Sequence, residues 1–421
     1  MASSAAHEAT GNGSRLAAHA WLEHELHTVV EELAGFTRPS ASAGERRAAE
    51  WIAARMREHG HRAAVEVERA HGGYWWPLGL LNGGVALAGA LARRSPSRGT
   101  RLLCSAAGVG AALAIWDELG GGGLWFRRAA LPRRDTFNVV AQAGDADGEQ
   151  TVVVVAHHDA AHSGLIFHPA LPRLFAERFP VTHERSSQTL PIMYATWLGP
   201  VLVALGGLFA RAGLLRAGSL LAGATVATMI EIGSSEVVPG ANDNLSAVAV
   251  LVALARSLAE QPQPGVRVLL VSTGSEESFM EGMQGFLRRH RADLDPARTT
   301  VLCLECVGGP KLTLIEAEGM LRMRPYSEAT RARLAAAAAA VGVELERGLR
   351  TVLATDALVA LRRGYASATL ASVDETKFPA NYHWPNDTPE NLDWGTIARA
   401  FAVTERFLRD AGGAPASAAP A

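Results

Sequence analysis

Three cysteines are too few to staple a chain of 421 residues, and the odd count leaves at least one thiol unpaired. An excess of one charge is also missing. Lys plus Arg number 40 and Asp plus Glu 42, a net charge of -2, so no nucleic-acid or other polyanionic partner is implied. No G-x-S-x-G elbow and no H-E-x-x-H helix occurs, which argues against a serine hydrolase and a single-helix zincin. The start from Met1 to Gly13 has neither a basic cluster nor an apolar run and does not read as a secretory signal. Residues 1–14 read as a disordered leader and the low-complexity residues 412–421 as a disordered tail.

Charged residues are scarce too, at 19% against 48% hydrophobic. The apolar excess is gathered into four Gly/Ala/Leu-rich stretches without the polar face of a surface helix. Leu78 to Ala92 and Leu102 to Trp116 are joined by a turn carrying Arg93, Arg94, Arg98 and Arg101, and Ile192 to Ala210 and Ala217 to Ile232 by one carrying Arg211 and Arg216. Each pair reads as a helical hairpin. Helices of these lengths reach roughly 22 to 28 Å, against a hydrocarbon core of about 30 Å. Tyr74, Trp75, Trp76, Trp116 and Trp197 stand near their ends, where amphipathic rings favour a membrane interface. Membrane contact through residues 78–116 and 192–232 is expected, with hairpins buried in a soluble cytoplasmic protein as the alternative. The arginines of the turns and those at 127, 128, 133 and 134 favour opposite orientations, and oligomeric state is not readable.

The remaining chain alternates strands and helices. Apolar residues at helical spacing run from Leu16 to Leu33 and from Glu45 to His59, followed by a short strand at Val65 to Val67 and another from Phe137 to Val140. Further strands are expected at Thr151 to Ala156, Val266 to Ser272, Val301 to Leu304 and Ala368 to Val373, with helices at Ala247 to Ala259, Gly282 to His290, Ala329 to Val341 and Thr396 to Leu408. This pattern predicts an α/β three-layer sandwich with a mixed, mostly parallel central sheet, plus two inserted apolar helical hairpins. The α/β core is expected over residues 15–70, 135–170 and 236–411, with hairpin insertions at 71–134 and 171–235.

Several strand ends carry chemistry. Val152 to Ala156 runs into His157, His158 and Asp159, and the spacing lets Asp159 bond the free ring nitrogen of a metal-bound His157. Asp243 lies in a turn before a helix, where an ordinary N-cap is the plain alternative. Two adjacent acids, Glu276 and Glu277, follow the strand Val268 to Val271, an arrangement in which one can bind metal while the other manages protons. Glu305 ends a further strand, and His383 follows Tyr382 far downstream. Together these residues make a set able to hold two divalent ions that share a carboxylate.

The ordered motifs AHHDA (Ala156 to Ala160), PGANDN (Pro239 to Asn244), TGSEES (Thr273 to Ser278), LECVG (Leu304 to Gly308), TDALVALRRGY (Thr355 to Tyr365) and YHWPNDTPENLD (Tyr382 to Asp393) resemble the co-catalytic di-zinc exopeptidases. That family includes bacterial zinc aminopeptidases, glutamate carboxypeptidases and, with altered metal content, glutaminyl cyclases. The resemblance implies two Zn2+ per chain, one held by His157 and Glu277, the other by Glu305 and His383, with Asp243 bridging. It implies Glu276 as general base and Asp159 as the residue orienting His157. Asp356 and Asp387 match supporting positions behind the ligands, and Tyr382 stands where it can contact the reacting group. Glu305 departs from the Asp usual in the aminopeptidases, and His158 stands where Tyr is frequent. Cys303 and Cys306 form a C-x-x-C around Glu305, but residues three apart on a strand face opposite ways, against a second metal site.

The function implied is a metal-dependent exopeptidase acting on peptides or small amides, an aminopeptidase in the first instance, at a membrane. The alternatives are a di-zinc carboxypeptidase or deacylase, or a catalytically inactive peptidase-like binding protein. Retention of both Glu276 and Glu277 speaks against the inactive form.

Overall fold

The computed structural model describes residues 20–412. The expected leader lies outside the described residues, as does all of the expected tail beyond Gly412. Two helices open the fold: α1 over residues 20–34 and α2 over Ala43–Glu58. Ser42 caps α2 by accepting from the Glu45 amide, and Ala48, Ala49, Ile52, Ala53 and Met56 form its buried face. Strand β1, Arg62–Ala70, is three times the expected length. It is an edge strand with Arg62 and Arg69 exposed, Glu66 half-buried and Glu68 buried against Arg288 and Arg289, so its apolar signal is diluted by four charges.

After β1 come α3 (Trp75–Arg94), α4 (Arg98–Leu119) and the short α5 (Trp125–Ala130), then strands β2 (Arg134–Gly144) and β3 (Gln150–His157). The second apolar segment opens with two short polar helices not expected from the sequence, α6 (Ala170–Arg178) and α7 (Pro180–Arg185), before α8 (Tyr194–Leu208) and α9 (Ala212–Ser234). The rest is regular: α10 (Ser246–Glu260), β4 (Val266–Thr273), α11 (Glu281–Arg289), β5 (Thr299–Glu305) and β6 (Lys311–Ile315). A small three-stranded sheet of β7 (Ala317–Glu318), β8 (Arg324–Pro325) and β9 (Arg350–Thr351) brackets α12 (Glu328–Ala340), and α13 (Asp356–Arg362), β10 (Ala366–Val373) and α14 (Trp394–Ala411) complete the chain.

The central sheet has the order β1-β2-β4-β3-β5-β10-β6. Five strands run one way, and only β2 and β6 oppose them. The four inner parallel strands are buried on both faces, which is why β3 reads as an unbroken run of valine. Val152, Val154 and Ala156 face one layer, packed with α2, α10 and α14. Val153 and Val155 face the other, with Met283 and Phe286 of α11 and Leu358 of α13. This is the three-layer sandwich, and it brings the carboxyl ends of β3, β4, β5 and β10 to one edge.

The four apolar helices do not form two separate hairpins. They close into one bundle in which α3 packs on α9 and α4, and α8 packs on α9 and α4. Small residues set the crossings: a Cβ on Gly218 would lie 2.8 Å from the Gly199 carbonyl oxygen, and one on Gly108 would lie 2.8 Å from the Ala204 nitrogen. Polar groups tie the helices at three points. Asn82 Nδ2 donates to the Thr196 carbonyl at 3.2 Å, Ser105 Oγ to the Ala204 carbonyl at 2.6 Å and Trp197 Nε1 to the Ala112 carbonyl at 3.1 Å. Outward, the bundle shows bare hydrocarbon, with Leu87 and Leu103 each 75% exposed and Leu113, Leu220 and Ile230 close behind. Helices α3, α4 and α9 are long and apolar enough to cross a membrane, whereas α8 has 15 residues.

Candidate metal centre

Each side chain of the centre is delivered by a strand end or the loop that follows. His157 is the last residue of β3 and Glu305 the last of β5, while Glu276 and Glu277 follow β4 by three and four residues. Asp243 comes from the turn before α10, and His383 from the loop between β10 and α14. These loops are held tightly: Ser275, Cys306 and His383 all have positive φ, at 51°, 50° and 49°. Left-handed backbone at non-glycine residues is costly, and here it occurs in the three loops bearing the acid pair, Glu305 and the second histidine.

All five expected metal ligands converge. His157 Nε2 lies 3.1 Å from Asp243 Oδ1 and 3.4 Å from Glu305 Oε1. His383 Nε2 lies 3.3 Å from Asp243 Oδ2 and 3.2 Å from Glu277 Oε2. Each oxygen of Asp243 therefore faces one imidazole. The closest approaches cross the expected partition, pairing His157 with Glu305 and His383 with Glu277. Ligand atoms of His157, Asp243 and Glu277 also fall within 4.8 Å of one another, so the whole set is compact. Two ligand atoms on one tetrahedral zinc at 2.0–2.1 Å stand about 3.3 Å apart, which is the spacing of these closest pairs.

The donor chemistry fits a cation. His157 Nε2, Asp243 Oδ2, Glu277 Oε1 and Glu305 Oε2 are buried without a hydrogen-bond partner, a state that costs free energy unless something positive lies between them. Imidazole and carboxylate together suit zinc or a similar borderline ion. The local charges are strongly coupled. Burial alone would lower the proton affinity of His383, but Glu277 and Asp243 push its imidazole up to about 10. Burial, reinforced by Glu305 and Glu277, holds Glu276 well above the ordinary carboxylate range despite the opposing pull of His157.

Asp159 does more than the sequence suggested. Its Oδ1 is 3.4 Å from His157 Nδ1, which also faces the Asp159 carbonyl oxygen at 3.1 Å. The same carboxylate accepts the Glu276 amide at 3.0 Å and the Glu277 amide at 3.1 Å, so one side chain fixes both the histidine and the acid pair. Asp387 performs the parallel task for Asp243, accepting the Asn242 and Asp243 amides at 2.6 and 3.0 Å, and burial raises it to about 7. Asp356 accepts from the Thr273 hydroxyl behind the centre, and burial raises it likewise to about 7. Tyr382 stacks on His383 with ring centroids 3.8 Å apart. Glu276 has no side-chain hydrogen bond and stands 3.9 Å from His157 Nε2 at the mouth of the centre. His158 turns away from the centre, its Nδ1 2.9 Å from Ser272 Oγ. Cys303 and Cys306 are free thiols.

Three supporting residues escaped the sequence reading. Arg38, fully buried, donates to the carbonyls of His158, Pro239 and Gly240 and so ties the β3 end to the Asp243 turn. Ser40 donates to Asp159 Oδ2 at 2.6 Å. Glu45 accepts from the amide and hydroxyl of Ser275 and from Thr136, anchoring the loop before the acid pair. No sequence signal singled them out: Arg38 and Ser40 lie in the loop between α1 and α2, and Glu45 is the acid ordinarily found in the first turn of a helix.

Residues 225–408 match the family model for Peptidase family M28. Among solved structures, the chain shares its fold with a Zn-dependent exopeptidase from Parabacteroides distasonis at 13% identity, over 92% of this chain and 98% of that one, with a TM-score of 0.54. An aminopeptidase from Aneurinibacillus sp. strain AM-1 is similar at 13% identity, over 92% and 93%, also at 0.54. A glutaminyl cyclase from Bacteroides thetaiotaomicron aligns at 12% identity over 92% and 97%, at 0.55. None of the curated proteins compared with the chain matches its sequence.

Proposed function

We propose that this chain, M28-like in sequence over residues 225–408 and in fold throughout, is a zinc-dependent aminopeptidase held in a membrane by its four apolar helices. The observation that carries the reading is the pair of imidazoles, each facing one oxygen of Asp243 and one terminal carboxylate, with a free acid, Glu276, beside them. Two zinc ions suit that set, one on His157 and Glu305, the other on His383 and Glu277, with Asp243 between. When bound, they supply Lewis-acid polarisation of the scissile carbonyl and a more acidic water. The chain's own residues do the rest. Asp159 and Asp387 hold the ligands in register, and Glu276 takes the proton from the attacking water and passes it to the leaving amine. Its raised proton affinity keeps it able to carry that proton between the two steps.

A compartment on one side of the centre is lined by Ile315, Leu349, Leu353, Ala371 and Val373 and suits an apolar terminal residue. Its one ammonium, Lys377, is engaged with the carbonyls of His183 and Ser186. The membrane reading rests on the exposed leucines of the bundle, a continuous apolar surface that water would disfavour.

The test is cleavage of leucyl anilide against N-blocked, C-terminal and N-terminal glutaminyl peptides, with chelator and with zinc restored. Zinc-dependent release from the free amino end is expected. Turnover only of the blocked or C-terminal peptides, or cyclisation of the glutaminyl peptide without cleavage, contradicts the aminopeptidase reading. Cell fractionation should leave the chain in membranes until detergent is added, and a monodisperse protein in plain buffer contradicts the anchor.

A further inference from the structure

Apart from the metal centre, a groove runs between α8 and α9 where the bundle meets the sheet. Its walls are aliphatic, from Ile192, Leu221, Met229 and Ile232, with Ile166 and Phe167 from the loop after β3. Three threonines also face it, but each hydroxyl is spent on the chain nearby. Thr196 Oγ1 donates to the Met193 carbonyl at 2.7 Å, Thr225 Oγ1 to Leu221 at 3.0 Å and Thr228 Oγ1 to Ala224 at 3.1 Å. No charged side chain lines the groove. It therefore offers a polar ligand little to replace its water, and an apolar one a largely aliphatic lining.

Continuity at its two ends indicates the occupant. At the inner end Phe167 and Met193 are shared with the cavity in front of the centre, which Glu276, Glu277 and His383 also line. The Phe167 ring lies 4.6 Å from that of His383. At the outer end Ala195 and Ala224 are exposed, on the helix faces that carry the exposed Leu198 and Leu220 three and four residues away. The compartment on the other side of the centre, lined by Ile315, Leu349 and Thr369, shares no residue with the groove. An exopeptidase places one terminal residue on one side of the scissile carbonyl and everything else on the other. That compartment suits the single residue, and the groove, which reaches the exposed face of the bundle, suits the remainder.

Resting on the aminopeptidase reading, we infer that the substrates carry a continuous apolar segment beyond the scissile bond, laid in the α8–α9 groove and entering from the lipid-facing surface. The class is the N-terminus of a hydrophobic, membrane-partitioned peptide, and a leucyl n-alkylamide is its minimal probe.

The experiment compares zinc-loaded full-length protein on leucyl n-propylamide and leucyl n-decylamide in one fixed detergent. Each methylene moved from water into the groove contributes about fourfold, and with the micelle competing for the chain the decylamide is expected to show a kcat/KM at least about tenfold higher. Ala224→Trp fills the groove and brings that ratio to about one. Ala195→Trp does the same from the facing helix, which covers the case in which the first variant misfolds. Micelle partitioning is common to all three proteins, so the comparison isolates the groove. Equal kcat/KM for the two amides in the native protein, or an unchanged ratio in both variants, overturns the inference while leaving the aminopeptidase reading intact. If neither amide is cleaved while another peptide class is turned over, that reading fails and the inference falls with it.

Discussion

Asp159→Asn probes how the centre is held. In the native protein Oδ1 takes the Glu276 amide at 3.0 Å and faces His157 Nδ1, while Oδ2 takes the Glu277 amide at 3.1 Å and the Ser40 hydroxyl at 2.6 Å. An asparagine keeps one of these oxygens. Its NH2 must then face a backbone N–H of the acid pair, donor against donor, in a site that admits almost no water. Losing one charge-assisted bond and stranding one buried donor costs about 2–4 kcal/mol locally. Groups that support metal ligands are worth about 10- to 100-fold in metal affinity, or about 1.4–2.7 kcal/mol. The expected result is a zinc affinity lower by that factor, measured by chelator competition on the full chain in detergent, together with slower hydrolysis at saturating zinc. Ser40→Ala removes one bond to Oδ2 and spares both amides, so its loss should be smaller. An Asp159→Asn protein with native zinc affinity and native turnover would refute the reasoning.

Glu25 on α1 is buried and bonded by Arg55 at 2.8 Å through two nitrogens and by His59 at 3.1 Å. Burial raises its carboxyl, but His59 and Arg55 outweigh that and hold it down to about 2, from 4.5. The stability it contributes is present above pH 4.5 and is lost as pH falls toward 2. The interval is worth about 3 kcal/mol. Glu25→Gln should remove that much at pH 7 and flatten the acid limb of the thermal unfolding midpoint, and parallel acid limbs in the two proteins would count against the ion cluster. Gly218→Val, placed where a Cβ stands 2.8 Å from the Gly199 carbonyl, should cost about 1–3 kcal/mol by forcing α8 and α9 apart, seen as a lower melting temperature in detergent. Unchanged melting would mean that the crossing is looser than described.

Much of this architecture is legible before any coordinates. Buried parallel strands need apolar residues on both faces, so Val152 to Ala156 and Val301 to Leu304 announce themselves, and the polar residues ending them, His157 and Glu305, stand out against that background. Helix α10 is equally plain. Less legible is anything set by approach in space. Which histidine each of Glu277 and Glu305 approaches depends on how those side chains extend, which spacing along the chain does not encode. Arg38 and Glu45 act on loops 120 and 230 residues away, through carbonyls and amides that every sequence has. The bundle is another such case: four apolar stretches read as two hairpins, because only contacts between the pairs, such as Gly108 of α4 against the α8 backbone at Ala204, reveal that they close on one another. Strand β1 was underestimated because its edge charges mask its period, and α6 and α7 because helices of nine and six residues leave too short a pattern.

In the proposed mechanism Glu276 moves the proton while its neighbours hold the metal. Glu276→Gln keeps the shape of the side chain and touches none of the four close ligand contacts. Zinc content and leucyl anilide turnover, measured on the same purified preparation, separate the two roles. Close to two zinc per chain are expected in both proteins, with turnover lower by about 10²–10⁴-fold in the variant. Full turnover with zinc retained would contradict that mechanism.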